Sequence, residues 1–209
     1  MPSPNFVHLR LHSEYSVVDG IVRLEPAIQK AVNDQMGALA LTDLMNFFGL
    51  IKFYSKARDA GLKPIAGADI WISHPSQSNK SHRGLLLVKN MKGYLNLCEL
   101  LSKAMTENQH LGHHEIHPSW FHLQSSSTLA AKEPFLLSEG LIFLSGAMQG
   151  DIGNALLADQ IELAEEHAKH WQSVFPTHFY LEIQRVGNDQ EERYIHLVAG
   201  LASRLKIPL

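Results

Sequence analysis

Histidine and aspartate gather where this chain leaves its apolar runs. His12 and Asp19 follow FVHLRL, Asp43 follows ALALT, and Asp69 lies within KPIAGADIWI. Imidazole and carboxylate are the ligand pair that suits Zn, Mn and Fe. A cluster of two or three such ions activates water and neutralises phosphate charge during phosphoester hydrolysis. The same residues also read as strand-end caps and solvated polar side chains. Arg10 weighs toward that second reading, because it sets a permanent cation that cannot ligate metal on the face of His12, ~7 Å away along a strand.

The elements that must position these groups follow from hydrophobic period. Residues 6–12 alternate apolar and polar, the pattern of a strand, so His8, Arg10 and His12 share a face. The polar segment of Ser13, Glu14, Tyr15, Ser16, Asp19 and Gly20 then falls at the strand's C-terminal end. Helical spacing predicts a helix over 24–35 stopped by Gly37, a buried strand over 38–42, a helix over 48–60 stopped by Gly61, and a strand over 63–72. Residues 73–84 read as a surface loop, 85–88 as a strand and 92–106 as a helix with Tyr94, Leu97, Cys98 and Leu101 inward. A histidine-rich stretch (108–122) and a Ser- and Ala-rich connection come next. Strands over 140–145 and 178–186 are expected, with helices over 151–157, 160–175 and 190–205, the last with Tyr194, Leu197, Leu201 and Leu205 on one side. Residues 206–209 look like the start of a further strand.

Such alternation is that of parallel βα units. Six strands and a cut seventh fit an irregular βα barrel, in which functional residues collect at the strands' C-terminal ends. His12, Asp19, Asp43, Asp69 and Arg83 all fall near such ends, and no glycine-rich phosphate loop follows any strand.

The 209 residues suffice for one substantial domain. One cysteine allows no internal disulfide, and no secretory signal or membrane-length apolar run is present, so the expected location is cytoplasmic. A net charge of −3 argues against a broad basic face for nucleic acid. Thirteen histidines are the compositional oddity. The set His110, His113, His114, His117 and His122 matches no closed zinc pattern and reads as a surface loop. Cys98 is expected to be a buried, inert thiol, Trp71, Trp120 and Trp171 packing residues, and Lys52, Lys56, Arg58 and Lys63 a solvated helix face.

The blocks FVHLRLHSEYSVVDG, ALALTDLMNFFGLIKFY, AGLKPIAGADIWI, LLLVKNMKGYLNLCELLS, GLIFLSGAMQG, FYLEIQRVG and LASRLKIPL, in that order, resemble the N-terminal PHP (polymerase and histidinol phosphatase) domain of bacterial DNA polymerase III alpha subunits, in a form similar to that of gammaproteobacteria. The resemblance implies an irregular seven-stranded βα barrel of the TIM-like kind, truncated before its last strand, with 1–209 a single PHP domain of a much longer replicative chain. Active members hold a trinuclear metal centre. Here the opening histidine pair becomes Arg10 and His12, Asp19 matches, Asp43 is followed by Leu44 where a histidine is expected, Asp69 stands in for glutamate, and Arg83 takes a histidine position beside His82. The aspartate and histidine of the final strand lie beyond Leu209.

Two guanidinium groups among the ligand positions repel metal and are expected to pair with Asp19, Asp43 or Asp69. The expectation is therefore a degenerate site with no cofactor, in a domain that supports the palm of the polymerase, docks the epsilon proofreading exonuclease subunit and meets DNA only through the holoenzyme. The polymerase's catalytic aspartates belong downstream, so this stretch itself is expected to be inactive. The alternative is a metal-dependent phosphoesterase, pyrophosphatase or 3'-5' exonuclease holding Zn, Mn or Mg on His12, Asp19, Asp43 and Asp69.

Overall fold

Buried apolar stripes define the helices, and short, largely apolar runs define the longer strands. In a computed structural model, residues 6–74, 80–110, 112–125 and 135–209 are described. They form two compact units, one ending at Asp69 and one beginning at Ile70.

In the first unit, helix α1 (Leu24–Asn33) buries Leu24, Ile28 and Ala31, and helix α2 (Leu50–Asp59) buries Leu50, Phe53 and Ala57. Both sets follow the i, i+3/i+4, i+7 rule of a one-sided helix. Strand β1 (Ala38–Leu41) is buried at every position and runs parallel to strand β2 (Lys63–Ser73), with Ala38 opposite Lys63 and Leu41 opposite Ala66. Residues 6–12, expected as a strand, carry no regular strand assignment. They do lie beside β1, since Ala40 donates to the His8 carbonyl at 3.0 Å and Thr42 to that of Leu11 at 2.9 Å. The ladder breaks because the Thr42 hydroxyl, not a backbone carbonyl, accepts the Leu11 N–H at 2.9 Å.

The second unit contains the last four residues of β2, then β3 (Ser81–Val88), helix α3 (Met91–Glu107), the two-residue strands β4 (Gln109–His110) and β5 (His113–His114), β6 (Leu141–Leu144), α4 (Asp151–Leu157), α5 (Ile161–Val174), β7 (Phe179–Tyr180) and α6 (Glu191–Leu205). Its strand order is β2-β3-β6-β7. β3 and β6 are antiparallel, with Leu85 opposite Leu144, and β6 and β7 are parallel. The purely parallel alternation expected from sequence is thus interrupted at β3. Residues 81–84, expected in a loop, open that strand, and His82, Arg83 and Gly84 are buried. The loop positions 75–79, and most of the Ser- and Ala-rich connection at 126–134, lie outside the described residues. The strand expected over 178–186 is reduced to β7, and beyond it Leu181 donates to the Pro208 carbonyl at 2.9 Å.

Trp171 centres the core of this unit, with the rings of Phe143 at 4.5 Å and Phe121 at 5.9 Å. On α3 the buried side is Gly93, Asn96, Leu97, Leu100, Leu101 and Ala104. Cys98 is half-buried, and burial pushes its thiol above the usual range, against the smaller opposing effect of a hydrogen bond from Tyr94. On α6, Val198 rather than Leu197 joins Tyr194 and Leu201 inside.

Candidate functional site

Asp69 is completely buried near the middle of β2, where the parallel alignment with β1 resumes as a bridge between Leu44 and Asp69. Its backbone is held on both sides: Met45 donates to the Asp69 carbonyl at 2.8 Å, and Asp69 donates to that of Thr42 at 3.3 Å. A buried carboxylate at this point requires cationic or hydrogen-bonding partners. Arg10 Nη1 lies 2.9 Å from Asp69 Oδ2, and His12 Nε2 lies 3.0 Å from the same oxygen. The other ring nitrogen of His12, Nδ1, is 2.9 Å from Asp19 Oδ2. An ionised carboxylate only accepts, so with both carboxylates ionised an imidazole bonded to the two would donate from both nitrogens, as an imidazolium does. In that form Arg10 and His12 would set two positive charges against Asp69 and Asp19.

Asp19 reaches His12 because the segment between them is a closed loop. Glu14 donates to the Val22 carbonyl at 2.8 Å across its neck. A Cβ on Gly20 would stand 1.7 Å from the Ser13 carbonyl oxygen, so only glycine lets the two backbones approach this closely. At the tip, Val17 has φ 66°, a strained setting for a β-branched residue, and Val18 donates back to the Ser16 carbonyl at 2.7 Å. The Ser16 hydroxyl donates to Asp19 Oδ1 at 2.7 Å and accepts the Leu44 N–H at 2.9 Å. The position where a histidine was expected thus contributes its backbone, and its half-buried side chain is apolar.

Asp43 occupies a separate niche. Its Oδ1 accepts the Ser13 N–H at 2.6 Å, and its Oδ2 accepts the Ser13 hydroxyl at 3.0 Å. Burial pushes the Asp43 carboxyl up, the two Ser13 bonds oppose that, and smaller effects come from His12, which lowers it, and Asp19, which raises it. Arg10, His12, Asp19 and Asp69 are therefore joined by the contacts above, and Asp43, held by Ser13, lies in the same first unit, whereas Arg83 belongs to the second unit. There the Arg83 guanidinium lies over the Trp71 ring at 4.6 Å and is buried.

Sequence reasoning placed Ser13 and Ser16 in the polar segment after residues 6–12 but gave them no role; both are buried, Ser13 bonding Asp43 and Ser16 bonding Asp19. The available signal was capping: Ser13 is the N-cap of the 3-10 turn Glu14–Ser16, its side chain accepting from Tyr15. It also passed over Thr42. The basic residues of α2 are engaged locally, Lys56 with Glu25 and Lys52 with the Tyr15 hydroxyl at 3.2 Å.

Both nitrogens of His12 and both oxygens of Asp43 are already occupied by protein partners. Among the described residues, no group of three or more His, Cys, Asp or Glu side chains could hold a metal ion. The histidine-rich stretch is no exception: His113 bonds Glu115 at 3.0 Å, and His117 caps the 3-10 turn Pro118–His122 by accepting from Ser119. The side chain of His110 lies outside the description. Among the described residues no helix is long and apolar enough to cross a membrane.

Residues 8–186 match the PHP domain family. The DNA polymerase III alpha subunit of Pseudomonas aeruginosa is 42% identical over 205 residues, covering 98% of this chain and 16% of that protein. The alpha subunits of Vibrio cholerae and Escherichia coli are 37% and 36% identical, each over the whole chain and 17% of theirs. The chain thus spans about one sixth of the length of these relatives. A solved structure of an inferred metal-dependent phosphoesterase from Bifidobacterium adolescentis shares the fold, with TM-score 0.55 and 11% identity over 98% of this chain and 85% of that one. The chain belongs to the PHP domain family, and it is of the kind found in DNA polymerase III alpha subunits.

Proposed function

We propose that this chain is the PHP domain of a cytoplasmic replicative polymerase alpha subunit whose metal site has been replaced by a charge-balanced ion-pair network. In this reading it works as a structural module and as the docking surface for the epsilon proofreading exonuclease, and it has no hydrolase activity of its own. The observation that carries the proposal is Arg10 on Asp69. A guanidinium 2.9 Å from the buried carboxylate does what a bound cation would do, and it excludes that cation by charge. DNA polymerisation would belong to the remaining five sixths of such a chain, with DNA reached through the assembled holoenzyme. Titration of the full-length alpha subunit, and of this chain, against purified epsilon subunit tests the docking role. Saturable binding to both is expected, and a full-length subunit that fails to bind refutes it.

The gathering of His12, Asp19, Asp43 and Asp69 in one unit favours a second reading, a residual phosphoesterase or pyrophosphatase with one or two metals. Metal content after tag-free purification separates the two. Stoichiometric Zn or Mn, with phosphoesterase activity lost in His12→Ala, would establish the second reading over the first.

A further inference from the structure

The second unit concentrates histidine around one carboxylate far in sequence from the network described above. Asp151, the first residue of α4, accepts the Trp171 indole N–H on Oδ2 at 2.8 Å and the Ile152 N–H on Oδ1 at 2.8 Å. Two imidazoles face the same Oδ2 without reaching it: His82 Nε2 from β3 at 3.7 Å and His167 Nδ1 from α5 at 3.6 Å. Both nitrogens are buried and neither has a hydrogen-bond partner. The His82 ring also stands edge-on to Trp171 at 6.3 Å, and His170 does so at 5.1 Å. The remaining titratable groups that act on this cluster are His74, just past β2, and His122, in the 3-10 turn Pro118–His122.

A buried imidazole without a hydrogen-bond partner costs more charged than neutral. A charged His82 would need a charge-assisted bond of ~2.8 Å. The facing acceptor, Asp151 Oδ2, is about 0.9 Å beyond that length and already accepts from Trp171. Closing that gap means displacing packed side chains at the junction of β3 and α4, and a charged His82 would also repel a charged His167 or His74. We propose that the junction of β3, α4 and α5 at His82, Asp151 and Trp171 is an acid-sensitive fastening, closed at neutral pH and loosened when protons enter it. Burial holds His82 below the ordinary histidine range, with Asp151 opposing and His167 and His74 adding to the effect, and burial likewise lowers His170. The unfolded chain therefore takes up these protons first. Stability is intact above the unfolded histidine value of ~6.5 and falls as pH drops through it toward the lower folded values.

Urea unfolding of the whole chain between pH 8 and pH 5.5 tests this, alongside the emission of Trp171 in a Trp71→Phe/Trp120→Phe background. The wild-type unfolding constant is expected to rise on acidification, and His82→Gln to flatten that rise by up to tenfold per pH unit, the limit for one proton. Trp171 emission is expected to shift to the red before global unfolding. An unchanged pH slope in His82→Gln, or a control His196→Gln that flattens it equally, overturns the proposal. Should His82→Gln not fold, Asp151→Asn still decides. It keeps an acceptor for Trp171 while removing the charge that favours imidazolium, so acid loss should extend to lower pH, and an unaltered profile refutes the fastening.

Discussion

Replacing Arg10 by methionine keeps most of the side-chain stem and removes the guanidinium from a carboxylate that has no exposure at all. Removing one partner of a buried ion pair typically costs ~3–5 kcal/mol, because the other charge stays buried. Arg10 is 20% exposed and His12 still donates to the same Asp69 oxygen, so the lower edge, about 3 kcal/mol, is the expected loss. With a urea slope near ~2 kcal/mol/M, that is a midpoint shift of about 1.5 M. Asp69→Asn alone should cost a comparable amount, since it leaves two cations facing a neutral amide. The double variant Arg10→Met/Asp69→Asn should be better than the sum of the singles by about 2 kcal/mol, the coupling expected of directly paired groups. Equilibrium urea unfolding followed by circular dichroism supplies all four corners of the cycle. A shift below ~0.3 M for Arg10→Met, or strict additivity in the cycle, would refute the view that this pair takes the place of a metal.

The ligand correspondence predicts that Arg10→His, Leu44→His and Arg83→His combined in a full-length alpha subunit partly restore metal binding. Unchanged metal content by elemental analysis shows the correspondence to be wrong. Glu191 accepts the N–H groups of Val186 and Asn188 at 2.6 and 3.1 Å, and those backbone bonds hold its carboxyl below the usual range. Its folded value is depressed, so its contribution is present above the ordinary glutamate value and is lost as pH falls toward the folded one. Glu191→Gln should therefore flatten the acid limb of stability below pH ~4.5 and speed amide exchange at Val186 and Asn188; an unchanged acid limb contradicts this. A Cβ at position 93 would stand 1.8 Å from the Gly140 carbonyl oxygen, so Gly93→Ala must push α3 off the turn before β6. A loss of about 2 kcal/mol or more is expected from such overpacking, and a wild-type urea midpoint would show that the approach is not tight.

The helices were legible because their information is local. The spacing of Leu24, Ile28 and Ala31, or of Leu50, Phe53 and Ala57, states which face is apolar before any partner is known, and residues 151–157 emerge with unchanged bounds. Strands were legible where a continuous apolar run identifies them, as in β1 and β6. They were misread where pairing decides. Residues 6–12 alternate like a strand, yet the Thr42 hydroxyl interrupts their ladder, and residues 81–84 look polar, yet β3 continues through them. A polar side chain that is buried because its neighbours satisfy it carries no mark of that in its own sequence window.

By itself the sequence determined which ionisable residues the chain has to work with. Under the correspondence that the resemblance implies, Arg10, Leu44 and Arg83 take ligand positions, and no folding changes the charge of a guanidinium or the inertness of a leucine. Only the tertiary structure decided how those charges are balanced. It assigned Arg10 and both edges of His12 to Asp69 and Asp19, gave Asp43 to Ser13, and laid Arg83 over Trp71. The reason is one of range: residue type is a property of a single position, whereas an ion pair between residues 10 and 69 depends on β1, β2 and the 13–22 loop arriving at one point to within a hydrogen-bond length.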